Sequence, residues 1–269
     1  MALLHVNFFS NTLGMCVSMD VILPQKTQGQ IGMSGASGAG PYPALYLLHG
    51  MSDDHTIWQR RTAIERYADA YDLAIIMPST ALGWYTDMAV GPKWYSYIAK
   101  ELPGICKQFF PISDKREDTF VAGLSMGGYG AMKLALSAPE AFSHAATLSG
   151  AVDFPALLDE RWPTETPDNR RYYESIFGPR EAVRGGRDDL RVLAERCAKA
   201  GNLPRVYQCC GTEDFLYKNN LGFRDHLRAL GCDLTYEEGP GTHAWDYWDA
   251  QIQKVLAWLP LEKRFLNFS

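Results

Sequence analysis

Residues 119–130 constrain this chain more than any other stretch. In Thr119-Phe-Val-Ala-Gly-Leu-Ser-Met-Gly-Gly-Tyr-Gly130 an apolar, β-type run stops at Gly123-Leu-Ser125-Met-Gly127, and a helix-like pattern begins that lasts to Ser137. A G-x-S-x-G placed between a strand and a helix demands a very tight reversal. The serine in the middle is expected to take a strained backbone conformation, with its Oγ projecting alone beyond the sheet edge. Glycines two before and two after it remove the Cβ atoms that would collide in such a turn. The N–H of Met126 is left free at the first turn of the helix, where it can face a developing oxyanion. The pentapeptide alone arises by chance in many chains. Here the strand before it, and the packing allowed by Gly127, Gly128 and Gly130 after it, supply the context it needs.

The rest of the sequence fits the same architecture. Residues 3–9 and 14–23 read as two antiparallel strands joined at Asn11-Thr-Leu-Gly14. From residue 44 onward strands are predicted at 44–48, 73–77, 120–122, 145–149, 205–210 and 233–237, with helical patterns between most of them and a last helix from Trp245. That alternation predicts a mostly parallel central sheet with helices on both faces. One helix is expected over 56–70 and one over 94–109, the second kinked or broken at Pro103. A length of 269 residues suits a single domain. With 46% apolar and 21% charged residues, disordered and fibrous classes are excluded. Between 153 and 187 periodicity lapses among Pro155, Pro163, Pro167 and Pro179, so this segment reads as a cap insertion or a surface excursion. The Gly- and Ser-rich tract 28–40 has neither P-loop nor G-x-G-x-x-G spacing and reads as a flexible connection.

In a parallel sheet all strand carboxyl ends open on one edge. Three of those ends carry Ser125, Asp214 and His243, in the chain order serine, acid, histidine. A fourth, after 44–48, leads into His49-Gly50-Met51, where the Met51 N–H is the candidate second oxyanion donor. This is the arrangement of the α/β-hydrolase fold, and it predicts a proton relay from Ser125 to His243, oriented by Asp214. Glu213 is the competing acid, but neighbours in an extended turn diverge and only one can reach His243. His49 reads as a structural histidine that shapes its turn, and His5, His55, His144 and His226 as structural or solvated. Trp84 and Tyr85 either line a substrate pocket or are packed loop aromatics.

A net charge of −5 gives no electrostatic footprint for nucleic acid or an anionic membrane. No apolar run approaches the roughly 20 residues needed to span a bilayer. The first residues lack a charged n-region, so the expected location is the cytoplasm. Cys16, Cys106, Cys197, Cys209, Cys210 and Cys232 lie mostly in predicted strands and helices, as small hydrophobes do. No cluster has metal-ligand spacing, and the chemistry above needs no cofactor.

With these residues in place the chain resembles the esterase D or S-formylglutathione hydrolase-like group of α/β-hydrolases, and within it the bacterial tributyrin esterases. The resembling segments are Tyr46-Leu-Leu-His-Gly-Met51, Gly83-Trp-Tyr-Thr-Asp87, Ala122-Gly-Leu-Ser-Met-Gly-Gly-Tyr-Gly130, Gly211-Thr-Glu-Asp214 and Gly241-Thr-His243-Ala-Trp245. By that similarity Ser125, Asp214 and His243 match the triad, and Met51 and Met126 the oxyanion residues. The resemblance implies a serine carboxylesterase acting on a small acyl ester. The group also holds acetyl-xylan and feruloyl esterases, thioester hydrolases and secreted acyl transferases, and some of its members are homo-oligomers. Acyl transfer, and a non-catalytic binding module on the same scaffold, are the competing readings. The intact set of three residues weighs against the second.

Overall fold

The computed structural model describes residues 1–27, 30–33, 38 and 40–263; positions 28, 29, 34–37 and 39 of the Gly- and Ser-rich tract lie outside the described residues. The strands are β1 (Ala2–Ser10), β2 (Met15–Leu23), β3 (Ala44–Leu48), β4 (Ala74–Pro78), β5 (Thr119–Leu124), β6 (His144–Leu148), β7 (Arg205–Gly211) and β8 (Leu234–Gly239). They form one eight-stranded sheet in the order β1-β2-β4-β3-β5-β6-β7-β8. β2 pairs antiparallel with β1 and β4, and every other pairing is parallel. The β1–β2 hairpin turns where predicted, with Gly14 at φ 67° donating its N–H to Ser10 O at 2.9 Å.

Helices cover both faces. They are α1 (Ile57–Arg61), α2 (Ile64–Asp69), α3 (Trp94–Ser96), α4 (Leu102–Phe109), α5 (Met126–Ser137), α6 (Phe154–Arg161), α7 (Pro167–Phe177), α8 (Arg180–Val183), α9 (Leu190–Ala200), α10 (Tyr217–Ala229) and α11 (Trp245–Trp258). Strand β3 shows how the two cores arise from a period of two. Ala44, Tyr46 and Leu48 pack with α4, α5 and α9, while Leu45 and Leu47 pack with α1, α2 and α11. A strand buried on both sides has no polar face to offer, hence its unbroken apolar run.

Two expectations need correction, and the 153–187 segment takes a definite form. The helix predicted over 56–70 is two helices, because Thr62 turns extended and its Oγ1 donates to Trp58 O at 2.6 Å while accepting Ile64 N–H at 3.2 Å. A threonine that offers the backbone local partners competes with the helical ladder. Pro103 does not break its helix, which runs unbroken from Trp94 to Phe109. The irregularity falls just before it, as a π-helical turn at Tyr97–Glu101 with Leu102 N–H reaching back to Tyr97 O. Residues 153–187 are largely helical. Pro155, Pro163 and Pro167 lie in the first turns of α6, a 3-10 turn (Trp162–Thr164) and α7, so these prolines begin helices.

Candidate active site

β5, β3, β7 and β8 end along one edge, and the four loops that follow them meet there. Ser125 has φ 51° and ψ −117°, a conformation that L residues rarely adopt. It is held by its own backbone: Ser125 N–H donates to Leu148 O at 3.0 Å, and its carbonyl accepts from Tyr129 N–H at 3.0 Å and Ala151 N–H at 3.2 Å. Gly123 and Gly127 make the turn possible. A Cβ on Gly123 would overlap the Gly127 carbonyl, and one on Gly127 would overlap the Leu48 and His49 carbonyls. The glycines therefore bring the start of α5 against the end of β3, which places Met126 and Met51 on the same cavity as Ser125.

His243 joins Ser125 to Asp214. Its Nε2 lies 2.9 Å from Ser125 Oγ and its Nδ1 2.8 Å from Asp214 Oδ2. The carboxylate's other oxygen accepts Leu216 N–H at 2.8 Å. Asp214 is buried, which works to raise its pKa, but the bonds from His243 and Leu216 outweigh this and hold it below the ordinary carboxylate value. The acid stays charged where it can orient an imidazole. Glu213, its competitor, points away and accepts Gly241 N–H at 2.6 Å, tying the loop after β7 to the loop after β8. The imidazole is packed by Phe215 (4.6 Å between ring centres) and, edge to face, by Trp248 (4.8 Å).

His49 shapes the fourth loop. Its Nε2 accepts Thr80 N–H at 3.1 Å, so Nδ1 carries the proton and donates to Gly50 O at 2.7 Å. Burial pushes its pKa down to about 4, and it is neutral at ordinary pH. Tyr85 Oη donates to His49 O at 2.9 Å and Trp58 Nε1 to Leu48 O at 3.0 Å, so the strand end is braced from both sides.

Of the two aromatics proposed for the pocket, only Trp84 lines it. Tyr85 is fully buried beneath, its ring against Gly130 and its hydroxyl on His49 O, because the chain folds both residues at φ 51° and turns their side chains to different sides. Trp84 Nε1 donates to Tyr172 Oη at 3.0 Å, and its ring packs on Phe154 and Phe177. The loop is anchored next to them by Asp188, whose carboxylate accepts from Thr86 Oγ1 at 2.6 Å and pairs with the buried Lys133 of α5. The cavity itself, about 540 Å³, is also walled by Leu157, Arg161 and Tyr173 from the 153–187 segment and by Phe215, Trp245 and Trp248. The sequence reading did not assign these six to the site. Trp245 and Trp248 fall on the helix stripe expected to face the core, and nothing in the periodicity of 153–187 marks Arg161.

A serine hydrogen-bonded to a neutral-capable imidazole, backed by an ionised acid and opening on an apolar-walled cavity, can attack an acyl carbon and pass protons. The fold and this arrangement define a serine hydrolase of the α/β-hydrolase fold that acts on carboxylic esters. The chain belongs to the Esterase family, described as "Putative esterase", whose model matches residues 10–259. It is 29% identical to an acetyl esterase of Caldicellulosiruptor saccharolyticus over 96% of this chain and 98% of that one. Among solved structures it is similar to the fluorophosphonate-binding serine hydrolase FphF of Staphylococcus aureus, with TM-score 0.83 and 37% identity. It is also similar to the S-formylglutathione hydrolase FrmB of the same organism, with TM-score 0.81 and 37% identity; both alignments cover 96% of this chain and 98% of the other.

Proposed function

We propose that the enzyme hydrolyses short-chain acyl esters through an acyl-enzyme on Ser125. The observation that carries this is the continuous hydrogen-bonded chain Ser125–His243–Asp214 on the wall of the 540 Å³ cavity. Ser125 Oγ attacks the acyl carbon as its proton passes to His243 Nε2. The N–H groups of Met51 and Met126 receive the oxyanion. Among the described residues neither amide donates to a protein acceptor: Met126 opens α5, whose first turn leaves its amides available, and Met51 lies in the turn after β3. Collapse of the tetrahedral intermediate breaks the bond to the alcohol oxygen, which takes the proton from His243. Water, deprotonated by the same nitrogen, then releases the acid and restores Ser125. Asp214 holds the Nδ1–H tautomer throughout.

The 153–187 segment acts as a cap, with Leu157 and Tyr173 joining Trp84 around the acyl chain. Similarity to an acetyl esterase and to an S-formylglutathione hydrolase supports small acyl groups on oxygen or sulfur. The thiols of Cys106, Cys197, Cys209 and Cys210, buried and free, suit a reducing compartment such as the cytoplasm. Labelling with a fluorophosphonate probe, followed by a chain-length series of p-nitrophenyl esters, tests the proposal. Labelling on Ser125 with turnover highest for acetyl to butyryl esters is expected; folded protein that is unlabelled at Ser125 overturns it.

A further inference from the structure

We propose that a second cavity, between α5 and α9, binds a small monocarboxylate through Lys133 and Arg196. It holds about 430 Å³ and shares no lining residue with the cavity of Ser125. Two helix faces make it. Lys133, Leu136 and Ser137 come from α5 at spacings of three and four, and Leu193, Arg196, Cys197 and Ala200 come from α9 in the same rhythm. The helices meet where Cys197 Sγ donates to Leu136 O at 3.0 Å. Leu136, Leu193, Cys197 and Ala200 give the cavity an apolar wall.

Its charged groups are unevenly satisfied. Asp87 accepts both the N–H and the hydroxyl of Ser96, and Asp188 accepts from Thr86, Arg187 and Lys133. Arg187 is engaged by Asp188 and by the Asp87 carbonyl. Lys133 is buried, yet among the described residues its ammonium, with three donors, has a single oxygen acceptor in Asp188; the rings of Tyr95 and Tyr129 lie 5.7 Å away. Arg196, on the cavity wall, makes no ion pair or hydrogen bond among the described residues. The lining cations Lys133, Arg187 and Arg196 exceed the lining carboxylates Asp87 and Asp188 by one charge. A monoanion closes that difference, whereas a dianion overshoots it beside an apolar wall that cannot solvate the excess. A carboxylate can take the idle donors of Lys133 without displacing Asp188 and can meet the fork of Arg196, while a short alkyl chain lies on the leucines. The acids that the esterase reading above releases belong to this class, but the site stands without that reading.

The test titrates butyrate, and butyramide as its neutral isostere, into isotope-labelled enzyme and follows the backbone amides by NMR. Saturating shifts at Ser137, Cys197 and Asn202 are expected with butyrate, and binding about fivefold to tenfold weaker with butyramide, the scale of a charge-assisted contact at a part-exposed site. Arg196→Gln should weaken butyrate about threefold to tenfold and Arg196→Lys by less. Lys199→Gln, which removes a cation of the same helix that does not line the cavity, should leave binding unchanged. The amide spectra themselves show whether each variant is folded. No saturable shift at these residues, shifts confined to the surroundings of Ser125 and His243, equal affinity for acid and amide, or butyrate binding unmoved by Arg196→Gln overturns the proposal. So does inorganic phosphate binding the same amides more tightly than butyrate.

Discussion

Asp214 and His243 meet at 2.8 Å, and the same turn sends the adjacent carboxylate of Glu213 outward to Gly241 N–H. Two neighbouring acids are thereby given separate jobs by one reversal of the chain. Asp214→Asn should lower kcat by about 10⁴, because an amide presents the wrong partner to Nδ1–H. Glu213→Gln should stay within a few fold of wild type. Steady-state kinetics on p-nitrophenyl acetate decide it, and the reverse pattern would move the acid to Glu213.

Gly127→Ala should damage stability and turnover together. The added methyl would press on the Leu48 and His49 carbonyls, neither of which can yield without moving the oxyanion loop. Overpacking against backbone costs about 1–3 kcal/mol, occasionally more. Urea denaturation should register that loss, and kcat should fall while KM changes little. A variant with wild-type kcat would show that the turn tolerates the side chain.

Stability should fall as pH drops from about 6.5 towards 4. The unfolded chain binds a proton on His49 below about 6.5, whereas the folded protein resists until about 4, so the unfolded state holds more protons in that window. The contribution is fully present above the unfolded value and is lost at about 1.4 kcal/mol per pH unit inside the window. His144, pushed to about 4 by burial and by Arg205 and Arg116, acts in the same direction. Urea midpoints from pH 4 to 8 should show the slope, and His49→Gln should flatten it. An unchanged slope in that variant would assign the effect to other groups.

Lys133→Met should cost about 1–3 kcal/mol, because Asp188 stays charged and buried beside Thr86 with only the exposed Arg187, 3.4 Å from its other oxygen, to offset it. The double variant Lys133→Met with Asp188→Asn should recover part of this, since an amide can still accept from Thr86 without bearing charge. Chemical denaturation of both variants measures the coupling. Strict additivity would mean that the pair does not act as a unit.

Much of the site could be read from the residues in order because it depends on local geometry. Ser125, Asp214, His243 and Met51 each follow a strand whose apolar run is self-evident, and a parallel sheet brings those ends together whatever else the chain does. What escaped was tertiary. Arg161 and Tyr173 reach the cavity through helices whose opening prolines resemble breakers, and Tyr85 differs from Trp84 only through backbone twists that no periodicity reports. The division of residues 56–70 turned on one threonine hydroxyl, a detail invisible to an apolar stripe.

The Lys133–Asp188 pair has a meaning for how such enzymes change. Lys133 belongs to α5, the helix that begins with Met126, while Asp188 holds Thr86 and with it the loop that presents Trp84. The loop that carries Trp84 and the helix that begins at Met126 are therefore tied together by one buried ion pair. Substitutions that widen the cavity by shifting the 83–87 loop will pull on the helix that follows Ser125, so new specificities should be reached more readily by altering the 153–187 wall than by altering the loop beneath it.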